Sequence, residues 1–160
     1  KEDLYLFVIE YWLEMSFKDF PYAALTDPAT PSKQRFELFL RETINTMFQK
    51  KYPVSFTKLF VHEAMITQTE AFDSLIKKAV APNTQLLKEI IDDMTNHKFD
   101  DKALDYYTAC TIGQCLFYHT NQNTLMPIFN VSIESDDDIS ALADHIVAYS
   151  LSAILNMDNK

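Results

Sequence analysis

Apolar residues recur at helical intervals through stretch after stretch of this chain. In "KEDLYLFVIEYWLEM", from about Asp3 to Phe17, the residues Leu4, Phe7, Val8, Tyr11, Trp12 and Met15 form one helical stripe. Tyr5, Leu6, Ile9 and Leu13 fill the other side, so this helix is either central or deprived of part of its cover. "FPYAALTDPATPS" reads as a linker punctuated by Pro21, Pro28 and Pro31, with Thr30-Pro31 as a helix start. The following helix, to about Lys50, carries Phe36, Phe39, Leu40, Thr43, Ile44, Met47 and Phe48 on one amphipathic face. Beyond Pro53, a third helix aligns Phe56, Leu59, Phe60 and Glu63.

A further helix from about Thr69 meets Pro82 and resumes with Leu87, Ile90, Ile91 and Met94 in register, which predicts a kink at the proline. "NHKFDDK" is a loop. "ALDYYTACTIGQCLFYH" is apolar or small on most sides, the pattern of a helix buried in an assembly. "NQNTLMPIF" is a short turn and helix, and "SDDD" opens the last helix with acids that complement the helix dipole. That helix has a broad apolar surface of Ile139, Leu142, Ile146, Val147, Leu151, Ala153 and Ile154.

One count sharpens the fold class. The 160 residues contain a single glycine, Gly113. Sheets and tight hairpins draw on glycine for positive φ, so the chain is expected to be all-α, one domain over residues 1–160. With 48% hydrophobic and 13% aromatic residues it can bury a core built around rings. Its longest apolar run, Leu4 to Ile9, is far short of a bilayer span and no export leader is evident. A cytoplasmic protein without a membrane partner is the expectation. The net charge of −9, with only Lys50-Lys51 and Lys77-Lys78 as basic clusters, leaves no surface that could grip a nucleic-acid backbone.

Catalytic chemistry finds no foothold. His62-Glu63 starts like a zinc-protease helix, but position 66 is Ile where the second His belongs. The four His are scattered, and neither a Gly-rich phosphate loop nor a nucleophile elbow is present. Catalytic residues, metal ligands and cofactors are therefore assigned none. Cys110 and Cys115 stand about 140° apart on one helix, unable to bridge each other, and are expected to be buried, reduced thiols.

Two residues ask for a reason. Glu63 sits in an aromatic stripe, where a carboxylate must be solvated, paired or facing a polar cavity. Gly113 lies inside a helix, where glycine is about 1 kcal/mol worse than alanine. Close approach of another helix explains it, with Thr108, Ala109 and Cys110 as small neighbours. The two long C-terminal helices then suggest a homodimer through a four-helix interface, or else two interior helices of one monomer. The interface residues expected are Tyr106, Cys110, Gly113, Phe117, Leu142, Ile146 and Ala153.

"KEDLYLFVIEYW" resembles the end of the helix-turn-helix domain and the first regulatory helix of TetR-family transcriptional regulators. "LFVHEAM", "IKKAVAPNTQLLKEII" and "CTIGQCLFYHTNQNTLMPIF" are similar to the CecR-type subgroup. "EAMITQTEAF" departs from it, lacking the proline that subgroup tends to place before the Thr. The resemblance implies a TetR-type regulatory bundle that senses a small molecule and dimerises. It also implies that a DNA-binding domain upstream of Lys1 supplies the cover the first helix lacks and makes the contact with operator DNA. It implies a repressor that releases its operator on binding a partly apolar effector; the pocket walls expected for it are Trp12, Phe36, Phe60, Glu63 and Phe117, the bulky or polar residues on inward stripes. The competing class is a free-standing helical protein-interaction module without a regulatory ligand.

Overall fold

The computed structural model describes residues 7, 8, 11, 15, 18–48, 72, 73 and 76–156. Among them every regular element is helical, as the single glycine anticipated. The elements are α1 (Tyr22–Thr26), α2 (Ser32–Phe48), a π-helical turn (Ile76–Val80), α3 (Ala81–Met94), α4 (Asp101–Thr120), α5 (Gln122–Phe129) and α6 (Asp136–Leu155). The chain divides into two compact units, residues 1–20 with 49–85 and residues 21–48 with 86–160. The expected first helix falls largely, and the Phe56–Glu63 helix wholly, outside the described residues.

In the second unit, α2 packs along α6, and α4 packs on both. Phe36, Phe39, Leu40 and Ile44 are the buried face of α2, at the spacing its apolar pattern predicts. From α6 come Leu142, Ala143, Ile146, Val147, Ser150, Leu151 and Ile154. Ion pairs brace the helices. Arg35 on α2 donates to Asp93 on α3 at 2.8 Å, and Arg41 on α2 pairs with Asp144 on α6. Lys88 on α3 reaches Asp105 at 2.6 Å and Asp101 at 3.4 Å, both on α4.

The ends of the helices follow their sequences. Ser135 caps α6 by accepting from the Asp138 N–H, and the Asp138 carboxylate accepts from the Ser135 N–H in return. The same carboxylate accepts from the Ser135 hydroxyl and the Glu134 N–H, and these bonds hold its pKa below the ordinary carboxylate value. Asp100 caps α4 through the Ala103 N–H at 2.8 Å. The loop after α3 turns through left-handed Asn96 (φ 54°) and His97 (φ 57°), and His97 Nδ1 bonds Asp92 at 2.7 Å.

One local expectation changes. The stretch taken as linker contains α1, a single turn between Pro21 and Pro28 that buries Leu25 completely. Tyr-Ala-Ala-Leu favours helix once the prolines bound it, and Arg35 holds the Leu25 carbonyl at 3.5 Å. Near Pro82 the deviation takes the form of a π-helical turn immediately before α3. Proline has no N–H, and its ring crowds the carbonyl four residues back, so a wider turn relieves the clash.

Candidate functional site: the outer faces of α4 and α6

α4 is built with two different faces. Leu104, Thr108, Thr111 and Cys115 point inward. The buried hydroxyls satisfy themselves within the helix: Thr108 donates to the Leu104 carbonyl at 2.7 Å and Thr111 to that of Tyr107 at 2.8 Å. These two hydroxyls are therefore buried without an unmet hydrogen bond. Cys115 is buried, and desolvation pushes its thiol up to about 12, an unreactive state. Across the seam, Gln114 donates to Ser150 of α6 at 3.4 Å.

The opposite face of α4 is exposed and mainly apolar or small. Tyr106, Ala109, Cys110, Gly113 and Phe117 are exposed, and their spacing confines them to roughly 100° of the helix circumference. Tyr106 is 62% exposed and Phe117 48%. Gly113 faces open space, with nothing within 4 Å of the position a Cβ would take. Nothing among the described residues therefore requires the glycine. Cys110 is exposed rather than buried, because the inward positions of α4 fall on Thr111 and Cys115 instead.

α6 repeats the arrangement. Its exposed positions include Ala141, His145, Ala148, Tyr149, Ser152 and Ala153, again small residues with an aromatic ring among them. The helix is 20 residues long and apolar enough to cross a membrane, yet only 33% of its apolar window is buried inside the chain. Asp144 on this helix is engaged in the ion pair with Arg41.

Of the interface residues expected from the sequence, Tyr106, Cys110, Gly113, Phe117 and Ala153 are exposed in the single chain. Leu142 and Ile146 are not: at 8% and 0% exposure they belong to the core of the second unit and are unavailable to a partner. Helical spacing groups them together, but α6 is apolar around most of its circumference, and the packing of α2 selects which arc turns inward.

Of the expected effector residues, Phe36 is fully buried and Phe117 lies on the exposed face of α4, edge-on to Tyr118 at 5.7 Å. Trp12, Phe60 and Glu63 lie outside the described residues. Sequence reasoning passed over His119, at the last turn of α4. Burial lowers its pKa, and its Nδ1 is buried with no hydrogen-bond partner. The signal was its spacing, four residues beyond Cys115 on the inward stripe. Elsewhere on the surface, α5 and residues 131–134 border an open groove of about 170 Å³, with Leu125, Met126, Val131 and Ile133 in its lining. No group of His, Cys, Asp and Glu among the described residues could hold a metal ion.

These helices form the C-terminal regulatory domain of a TetR-type transcription regulator. The family model for the C-terminal domain of the HTH-type transcriptional dual regulator CecR matches residues 32–154, from the start of α2 to the last turn of α6, and the chain belongs to that family. The family is one of transcription-regulator domains, not of enzymes. Comparisons with curated proteins and with solved structures return no match.

Proposed function

We propose that the chain is the effector-sensing and dimerising half of a cytoplasmic TetR-type repressor. DNA contact is assigned to a helix-turn-helix domain outside this sequence, because a chain of net charge −9 repels phosphate. In this reading two chains associate through α4 and α6, and the dimer spaces two recognition helices along the operator. A partly apolar small molecule enters the helical core and shifts the population toward an arrangement that no longer fits the DNA. CecR is a dual regulator by its family description, and we assign this chain the repressing sense.

The observation that carries the reading is the exposed stripe of Tyr106, Ala109, Cys110, Gly113 and Phe117, within the family match. A helix wet on one side ordinarily presents charge there. This one presents rings and small residues around an empty glycine position, a shape that receives a second helix. Light scattering at micromolar concentration tests the association, and a monomer would overturn it. A gel shift tests the division of labour: the 160 residues alone should leave a DNA probe unmoved at physiological salt.

A further inference from the structure

The C-terminal ends of α2 and α4 bring Phe48 and His119 together, their ring centroids 5.2 Å apart and the planes at 84°. His119 Nδ1 is buried there, with no hydrogen-bond partner among the described residues. Arg35 Nε shares that condition, but its guanidinium is otherwise held by Asp93 and the Leu25 carbonyl. An imidazole has only two nitrogens, and a buried one left unpaired is destabilising, so the position calls for a partner from outside the chain.

We infer that His119 contacts the effector directly, its Nδ1 bonding the hydroxyl of a neutral and otherwise apolar molecule. The assignment rests on the effector-sensing reading above and names the chemistry of that effector. Burial disfavours the charged imidazolium, so the ring offers no positive charge to an anion. A chain of net charge −9 disfavours anions further. A neutral imidazole presents Nδ1 as a donor in one tautomer and an acceptor in the other, and a hydroxyl, which both donates and accepts, satisfies either. The Phe48 ring supplies apolar surface beside the imidazole, suited to the hydrocarbon part of the same molecule.

A matched pair of fluorescent probes tests this. 2-Naphthol and naphthalene differ by one hydroxyl and are titrated into the wild-type chain, His119→Phe and His119→Gln. Wild type should bind 2-naphthol roughly tenfold more tightly than naphthalene, the worth of one hydrogen bond to a buried group. His119→Phe should equalise the two probes, and His119→Gln should retain part of the preference through its amide. In nitrogen-15 spectra of the wild type, the His119 Nδ1 signal should move on adding 2-naphthol and stay in place with naphthalene. If both probes bind wild type equally, or the preference survives in His119→Phe, the role of His119 is overturned while the sensing reading stands. If neither probe binds, both fall. Should His119→Phe fail to fold, the glutamine variant and the Nδ1 signal decide.

Discussion

The seam between α2 and α6 and the outer face of α4 are both apolar helix surfaces of the second unit, yet they are built on different principles. In the seam, large side chains interlock: Phe36, Leu40 and Ile44 of α2, with Ile146 and Ile154 of α6, are fully or almost fully buried, and the Arg41–Asp144 pair closes its edge. On the outer face, the central position is a glycine with nothing near it, flanked by Cys110, Ala109 and two exposed rings. Stability resides in the first surface, because the transfer of large apolar groups from water and their close packing are already complete there. The second leaves both unfinished and suits association. α6 turns Leu142, Ile146 and Ile154 into the seam and leaves Ala141, Ala148, Tyr149 and Ala153 exposed, so an apolar helix of this length is only partly covered within its own chain.

Substitutions at the two surfaces should therefore fail differently. Ile146→Ala empties a fully buried site and should destabilise the chain by about 2–5 kcal/mol, lowering Tm by roughly 5–15 °C. That loss should not vary with protein concentration. A loss confined to dilute samples would return Ile146 to the interface. Gly113→Leu should weaken the proposed dimer by about 1–3 kcal/mol, raising its dissociation constant roughly 5- to 150-fold in analytical ultracentrifugation. The same variant should leave the monomer as stable or up to about 1 kcal/mol more so, since leucine is the better helix former and open space surrounds the position. An unchanged dimer would show that the α4 stripe is not the contact.

Ser135→Ala removes half of the capping box that starts α6. It should lower stability by about 1 kcal/mol in urea titrations without altering the dissociation constant beyond that loss. The depressed Asp138 pKa gives this cap a pH signature. Its contribution is intact above pH 3.8, the ordinary value, and is lost as pH falls through the lower folded value, because the unfolded chain takes up the proton first. Ser135→Ala should flatten that acid limb.

The smallest expected effect comes from His97, whose bond to Asp92 raises its pKa above 6.5. Its contribution is fully present below pH 6.5 and is lost as pH rises through the raised value. His119 works in the opposite sense: burial lowers its pKa, so stability is lost as pH falls from 6.5 toward the folded value. Urea midpoints of His97→Ala and His119→Gln between pH 5 and 8 should therefore tilt in opposite directions from wild type. Parallel curves would contradict the environments of both rings.

Much of the helical plan is legible in the residues themselves. Periodicity places α2 and the resumed helix after Pro82, the acids after Ser135 mark the start of α6, and the lone glycine excludes a sheet-based fold. These are local properties: side-chain spacing, capping chemistry and backbone freedom act within a few residues of one another. α1 escaped that reading because its prolines resemble linker punctuation, and only the burial of Leu25 where α1 packs on α2, with Arg35 donating to the Leu25 carbonyl, makes the single turn worth forming. The orientation of α4 and α6 was beyond any local reading. A helix that is apolar or small on most sides has several arcs that could turn inward, and its own sequence does not choose among them. α2 and α4 choose for α6 by packing along it, and Leu142 and Ile146 move from the expected interface into the core. Packing likewise turns Thr108, Thr111 and Cys115 of α4 inward, leaving Cys110 and Gly113 outside and the end of the inward stripe at His119. The physical reason is that burial belongs to pairs of surfaces, and a single strand of sequence describes only one surface of each pair.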